Sequence, residues 1–141
     1  MSRILAPLLL ILGVSTNALA AGSVEAGQSK SVTCAACHGP DGNSVNPEWP
    51  KLAGQGEGYL LKQLKEFKSG DRQDPIMAGQ VAALSEEDMA NLSAYFASQT
   101  VKMGTASEEN LAFGEALYRG GNTPNGMAAC TGCHAPSGQG N

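Results

Sequence analysis

Cys34-Ala35-Ala36-Cys37-His38 stands in the first third of the chain, and Cys130-Thr131-Gly132-Cys133-His134 stands near its end. Two cysteines three apart lie on one face of a helical turn, so both sulfurs can bond the two vinyl groups of one porphyrin. The next residue then sets an imidazole under the iron. This is the C-x-x-C-H spacing of c-type haem attachment. The two copies use all four cysteines and both histidines of the chain, which is the economy expected when one chemistry is used twice. The cofactors expected are therefore two haem c groups with their iron: one on Cys34 and Cys37 with His38 as ligand, the other on Cys130 and Cys133 with His134.

Rival uses of these residues are weaker. One zinc held by two C-x-x-C pairs would need compact spacing, but Cys37 and Cys130 are 93 positions apart. A thioredoxin-like dithiol wants a βαβ context, and none is visible. Disulfides suit an exported protein, yet they give no reason for a histidine after each pair.

Working outward to the N-terminus, Arg3 precedes the mostly apolar run Ile4 to Val14, and Ala18-Leu19-Ala20 offers small residues for cleavage. Eleven residues including Pro7 are too few to span a bilayer. Residues 1–20 are read as a signal peptide, cleaved after Ala20, with the periplasm as destination. Export agrees with the cysteines, because haem c is attached on the outer side of the membrane.

Of 9 basic and 13 acidic residues in the whole chain, loss of Arg3 leaves 8 against 13. The mature chain is acidic, and nothing basic and clustered suggests nucleic acid. About 120 residues would ordinarily form one domain, but the repeated motif argues for two haem units. A small unit with few aromatics has a small core, and a covalently held porphyrin would supply much of the missing apolar interior.

The fold class expected is all-α. Ser23 to Cys37 reads as a helix leading into the first motif, with Ser23 as cap, Glu25 in the first turn and Gly27 admitting a close neighbour. Gly39-Pro40-Asp41-Gly42-Asn43 has turn composition and ends it. A carbonyl of this loop could orient His38 by accepting its free N–H. Trp49 suits either the core or the haem rim. Tyr59 to Ser69 is helical, with Leu60, Leu64 and Phe67 on one stripe, Lys62 paired with Glu66, and Gly70 at its C-terminal end. Asp71 to Leu84 reads as loop. Ser85 starts a last helix running to about Gln99, with Leu84 and Met89 as hydrophobic staple and Met89, Leu92, Tyr95 and Phe96 as core face.

Residues 21–100 are thus a first complete haem domain, 101–106 a linker, and 107–141 the start of a second domain, opening on a helix capped by Ser107. Shifting the first motif by 96 superposes Cys34, Cys37, His38, Pro40 and Gly42 on Cys130, Cys133, His134, Pro136 and Gly138. Seven residues follow His134, so the chain is read as a fragment of a longer protein.

With both histidines spent, the second axial ligand of the first iron is expected to be a methionine, a soft thioether that favours ferrous iron. Met89 is taken by the helix face and Met103 by the linker. Met77, in the segment between the two helices, remains.

The chain resembles the dihaem cytochromes c4. The resemblance rests on Cys34 to Asn43, Trp49-Pro50-Lys51-Leu52-Ala53-Gly54-Gln55, Tyr59-Leu60-Leu61-Lys62-Gln63, Met77-Ala78-Gly79, Ala94-Tyr95-Phe96 and Gly114-Glu115-Ala116-Leu117-Tyr118-Arg119-Gly120-Gly121. It implies class I cytochrome c domains, His/Met ligation at each iron, and a periplasmic carrier of single electrons that feeds a terminal oxidase and can associate peripherally with the membrane. Its partners would be redox proteins such as that oxidase or a quinol-oxidising complex. An enzyme is disfavoured: a haem peroxidase needs an open iron and an acid-base residue, and no histidine is left to serve. The cytochrome subunit of a periplasmic dehydrogenase is the alternative, since it would use the same electron-transfer chemistry.

Overall fold

The computed structural model describes residues 22–138 and Gly140. The signal-peptide reading falls on residues 1–20 and lies outside them. The chain divides into two compact units between Lys102 and Met103. Apart from one isolated antiparallel bridge between Asn122 and Met127, the regular structure among the described residues is helical. No described helix is long and apolar enough to cross a membrane.

The first unit holds α1 (Val24–Lys30), α2 (Val32–His38), α3 (Glu57–Ser69), α4 (Pro75–Val81) and α5 (Glu86–Ala97). Ser23 caps α1 through its hydroxyl, which accepts from the Ala26 N–H, and its own N–H donates to Asn91 Oδ1 of α5 at 2.7 Å. The close crossing of α1 on α5 explains Gly27. A Cβ there would lie 2.0 Å from the Asn91 carbonyl oxygen and 2.7 Å from Tyr95 Cβ, so only hydrogen fits.

The single helix expected over Ser23 to Cys37 is two. Ser31 is buried, and its hydroxyl donates back to the Gln28 carbonyl at 2.8 Å. A serine satisfied in this way competes with the helix ladder, and the chain turns before α2 begins. The loop expected over Asp71 to Leu84 contains α4. Asp74 caps it, accepting from the Ile76 and Met77 N–H groups at 2.9 Å each, and Pro75 stands in its first turn. Proline fits there because that N–H has no partner inside the helix.

α3 and α5 follow the sequence reading closely. Gly70 ends α3 in the left-handed conformation, and Lys62 meets Glu66 at 2.6 Å. Ser85 and Asp88 form a reciprocal capping box at the start of α5. Met89, Leu92, Tyr95 and Phe96 are all buried. Leu60, Leu92, Tyr95 and Phe96 make the core cluster, with Cys34, Leu52, Leu64, Leu84 and Ala97 packed around it. Trp49, 37 % exposed, is not among them.

The second unit holds a 3-10 turn (Glu108–Asn110), α6 (Leu111–Gly120), a second 3-10 turn (Thr123–Asn125) and α7 (Thr131–His134). Ser107 makes no side-chain cap, so the α-helix begins at Leu111 rather than beside Ser107. Glu115 and Arg119 pair along α6. Leu111 and Phe113 are exposed, and nothing lies within 4 Å of where a Cβ on Gly114 would stand.

Candidate functional site

α2 delivers Cys34, Cys37 and His38 from consecutive turns of one helix. None of the four cysteines is in a disulfide. Cys34 is half-buried against the core cluster, and burial, its largest influence, pushes its thiol pKa up. The shift leaves it a thiol in a partly apolar setting. Among the described residues no group of three or more His, Cys, Asp or Glu side chains is placed to hold a bare metal ion, so the zinc reading finds no cage.

His38 is buried, and its Nδ1 lies 2.9 Å from the carbonyl oxygen of Pro50. That carbonyl can only accept, so Nδ1 carries the proton and Nε2 is left with its lone pair. An imidazole oriented in this way by a backbone carbonyl is the arrangement in which the other nitrogen binds a metal. The carbonyl expected from the loop directly after His38 comes instead from twelve residues on. The Pro40 carbonyl is taken by the Tyr95 hydroxyl at 2.8 Å.

Closure of the 43–51 loop is what brings Pro50 back. The Gly42 carbonyl accepts from the N–H groups of both Leu52 and Ala53, at 2.8 and 3.1 Å, and the Gly54 N–H donates to the Phe96 carbonyl. Asn43, buried, then ties the turn to the end of the unit: its Nδ2 donates to the Thr100 carbonyl at 3.0 Å and its Oδ1 accepts from the Lys102 N–H at 2.7 Å. Lys102 Nζ adds an ion pair to Asp41 at 2.6 Å. That hydrogen bond, with a further one from the Asn43 N–H, holds the Asp41 carboxyl down at about 2. The opening residues of the expected linker are therefore fastened to the first unit. Asn43 reads in the sequence as part of a turn and Pro50 as part of a loop; their roles as clamp and as histidine partner do not, because neither residue type carries a signal of its own for a contact so far along the chain.

Met77 lies in the first turns of α4 and is partly exposed. Its N–H is held by Asp74, which fixes the backbone from which the thioether projects.

The second motif has the same turn in a barer setting. Gly39 follows His38 at φ 81° and ψ 154°, and Ala135 follows His134 at φ 60° and ψ 164°. Gly42 and Gly138 also match, at φ 74° and 77°. The region that Gly39 and Ala135 occupy is almost reserved for glycine, and a side chain there costs on the order of 1–3 kcal/mol. Ala135 is the one non-glycine residue of positive φ among those described. His134 is exposed, and α7 is a single turn.

The donor set of α2 fits a covalently held haem: two sulfurs at the attachment spacing, and one ring nitrogen directed away from its hydrogen-bond partner. The profile of the family described as Cytochrome c matches residues 24–100. A cytochrome c4 of Pseudomonas aeruginosa is 54% identical over 140 residues, spanning 99% of this chain and 70% of that protein. The crystal structure of reduced recombinant cytochrome c4 from Pseudomonas stutzeri superposes with a TM-score of 0.80 at 50% identity, over 86% of this chain and 68% of that one. A thiosulfate dehydrogenase (TsdBA) from Marichromatium purpuratum superposes with a TM-score of 0.70 at 30% identity, over 83% of this chain and 28% of that one.

Proposed function

The chain belongs to the cytochrome c4 family of haem c electron carriers, and from that premise we propose that it is a periplasmic one-electron carrier with His/Met ligation, delivering electrons to a terminal oxidase. It is an electron-transfer protein and not an enzyme. Haem, when bound, supplies the reversible ferric/ferrous couple, and the chain's own residues fasten and orient it.

In the first unit Cys34 and Cys37 would fasten the porphyrin, and His38 would give Nε2 to the iron while Pro50 keeps the ring from turning. The observation that carries this reading is the pairing of His38 Nδ1 with the Pro50 carbonyl at 2.9 Å. It fixes the tautomer and leaves one ligand atom. Met77 would complete the coordination. A thioether and an imidazole as the ligand set would raise the potential, and a ligand set unchanged by oxidation state would keep reorganisation small. In the second unit Cys130, Cys133 and His134 would hold the other haem. Residues 1–20 would direct export, 21–100 and 107–141 would belong to separate haem domains, and 101–106 would link them.

Replacing Met77 with Ala should abolish the weak near-infrared sulfur-to-iron band of the first haem and lower its potential. If Met89→Ala does this and Met77→Ala does not, the ligand has been misassigned.

A second reading has a specific observation behind it. The likeness to part of a thiosulfate dehydrogenase fits a carrier that serves a dehydrogenase as its cytochrome subunit. Co-purification with a catalytic subunit from native membranes and periplasm would separate this from a carrier that docks freely.

A further inference from the structure

The alanine at position 135 poses a physical question. It occupies a backbone region where the matching residue of the first unit is a glycine, and the residue before it is His134. Something must hold the turn there, since the chain would relieve the strain by rotating Ala135 and carrying His134 with it.

The holding group is Tyr118. Its hydroxyl, reaching back from α6, donates to the Ala135 carbonyl at 2.6 Å, and the same oxygen is 3.4 Å from the His134 carbonyl. The phenolic oxygen also lies over Gly138, 3.5 Å from where a Cβ would be. The Ala135 carbonyl accepts from the Gly138 N–H at 3.2 Å, and the His134 carbonyl from the Gly140 N–H at 3.0 Å. Both carbonyls that flank the strained residue therefore have partners.

The first unit solves the same problem differently. Gly39 needs no support at its φ, and Tyr95, from α5, bonds the Pro40 carbonyl one residue further on. Counting four residues from Gly27 gives Ser31, and four from Gly114 gives Tyr118. The position that breaks the helix in the first unit carries the tyrosine in the second.

We propose that Tyr118 is a positioning residue for the second haem: its hydroxyl pins the Ala135 carbonyl and so keeps His134 at the head of a turn that alanine alone would abandon. The inference rests on the reading of Cys130, Cys133 and His134 as a haem site. It makes Tyr118 and Ala135 a coupled pair, because the tyrosine matters to the extent that residue 135 is not glycine.

The test uses the full chain matured with haem c, comparing wild type, Y118F, A135G and Y118F/A135G. Y118F removes one hydroxyl and leaves the ring. It should speed amide exchange at Gly138 and Gly140 by about tenfold, the loss of one hydrogen bond. It should also lower the potential of the second haem and leave the first unmoved, because greater solvent exposure favours ferric iron. Y118F/A135G should return both readouts to the A135G values. Y118F indistinguishable from wild type, or an effect that glycine at 135 does not rescue, overturns the proposal. A wild-type chain whose intact mass carries one haem refutes the underlying site reading instead.

Discussion

The two attachment turns share a backbone and differ in almost everything around it. After His38 the chain runs through Gly39 and Gly42, and after His134 it runs through Ala135 and Gly138, with matching dihedral angles. Yet His38 is buried and held by Pro50, whereas His134 is exposed. The motif therefore encodes the local turn by itself, in about ten residues. It does not encode the pocket. That is built by contacts with residues further along the chain: the loop returning at Pro50, the Thr100 and Lys102 backbone groups that Asn43 clamps, and helix α5, whose Tyr95 holds the Pro40 carbonyl.

The sharpest way to break this comparison is at the two helix glycines. Gly27→Ala puts a methyl 2.0 Å from the Asn91 carbonyl oxygen, and because backbone cannot step aside, α1 must leave α5. The cost should exceed the roughly 1–3 kcal/mol of ordinary overpacking, seen as a large drop in the urea midpoint of the first unit. Gly114→Ala meets nothing within 4 Å and should gain up to about 1 kcal/mol of helix stability in α6. Should Gly114→Ala instead lower stability, some segment covers that face and the two units are more alike than their surroundings indicate.

A smaller effect is expected at Asn43. Replacing it with Ala leaves the Thr100 carbonyl and the Lys102 N–H without the partner that now joins them. Each is a polar group next to a buried side chain, so a loss of roughly 1–3 kcal/mol is expected. Hydrogen exchange at Lys102 should quicken more than exchange within α3. Equal protection in mutant and wild type would mean that the clamp merely accompanies the fold. The 96-residue shift carries Asn43 past Gly138 to Gln139, which lies outside the described residues, so the comparison is confined to the first unit.

These particular residues show how far the sequence was readable. The C-x-x-C-H motifs, the stripe Leu60, Leu64, Phe67, the Ser85 cap and the Gly70 stop were legible, because each depends on neighbours within a turn or two. The Gly27 approach was legible as a need for space, though not as a contact with Asn91. Helix α4 carried a signal in Asp74-Pro75, an N-cap followed by a first-turn proline, which the loop reading passed over. The break at Ser31 was hidden because a serine in a helix face is ordinary until its hydroxyl is seen turning back to Gln28. The Pro50 carbonyl was hidden for a deeper reason: a backbone acceptor has no residue identity to read.

The smallest expected effect concerns acid, and it also separates the two turns. Asp41 is held at about 2, first by the hydrogen bond from Lys102 and then by the Asn43 N–H, against an ordinary value of 3.8. A folded-state pKa below the unfolded one stabilises the fold fully above about 3.8, and the contribution fades as pH falls through about 2. Asp88 behaves in the same way, its carboxyl drawn down to about 2 by the Ser85 N–H and then by Lys30. Both side chains are partly exposed, so salt and solvent screen them and the slope should be shallow. The residue matching Asp41 in the second turn is Ser137, which has no carboxylate to protonate. Thermal unfolding followed from about pH 5 to about pH 2 should therefore lose stability in the first unit over this window, and D41N should flatten part of that loss without touching amide exchange in the second turn. An unchanged pH slope in D41N would show that the Lys102 contact does not contribute to holding the first attachment turn, leaving Asn43 to fasten it alone.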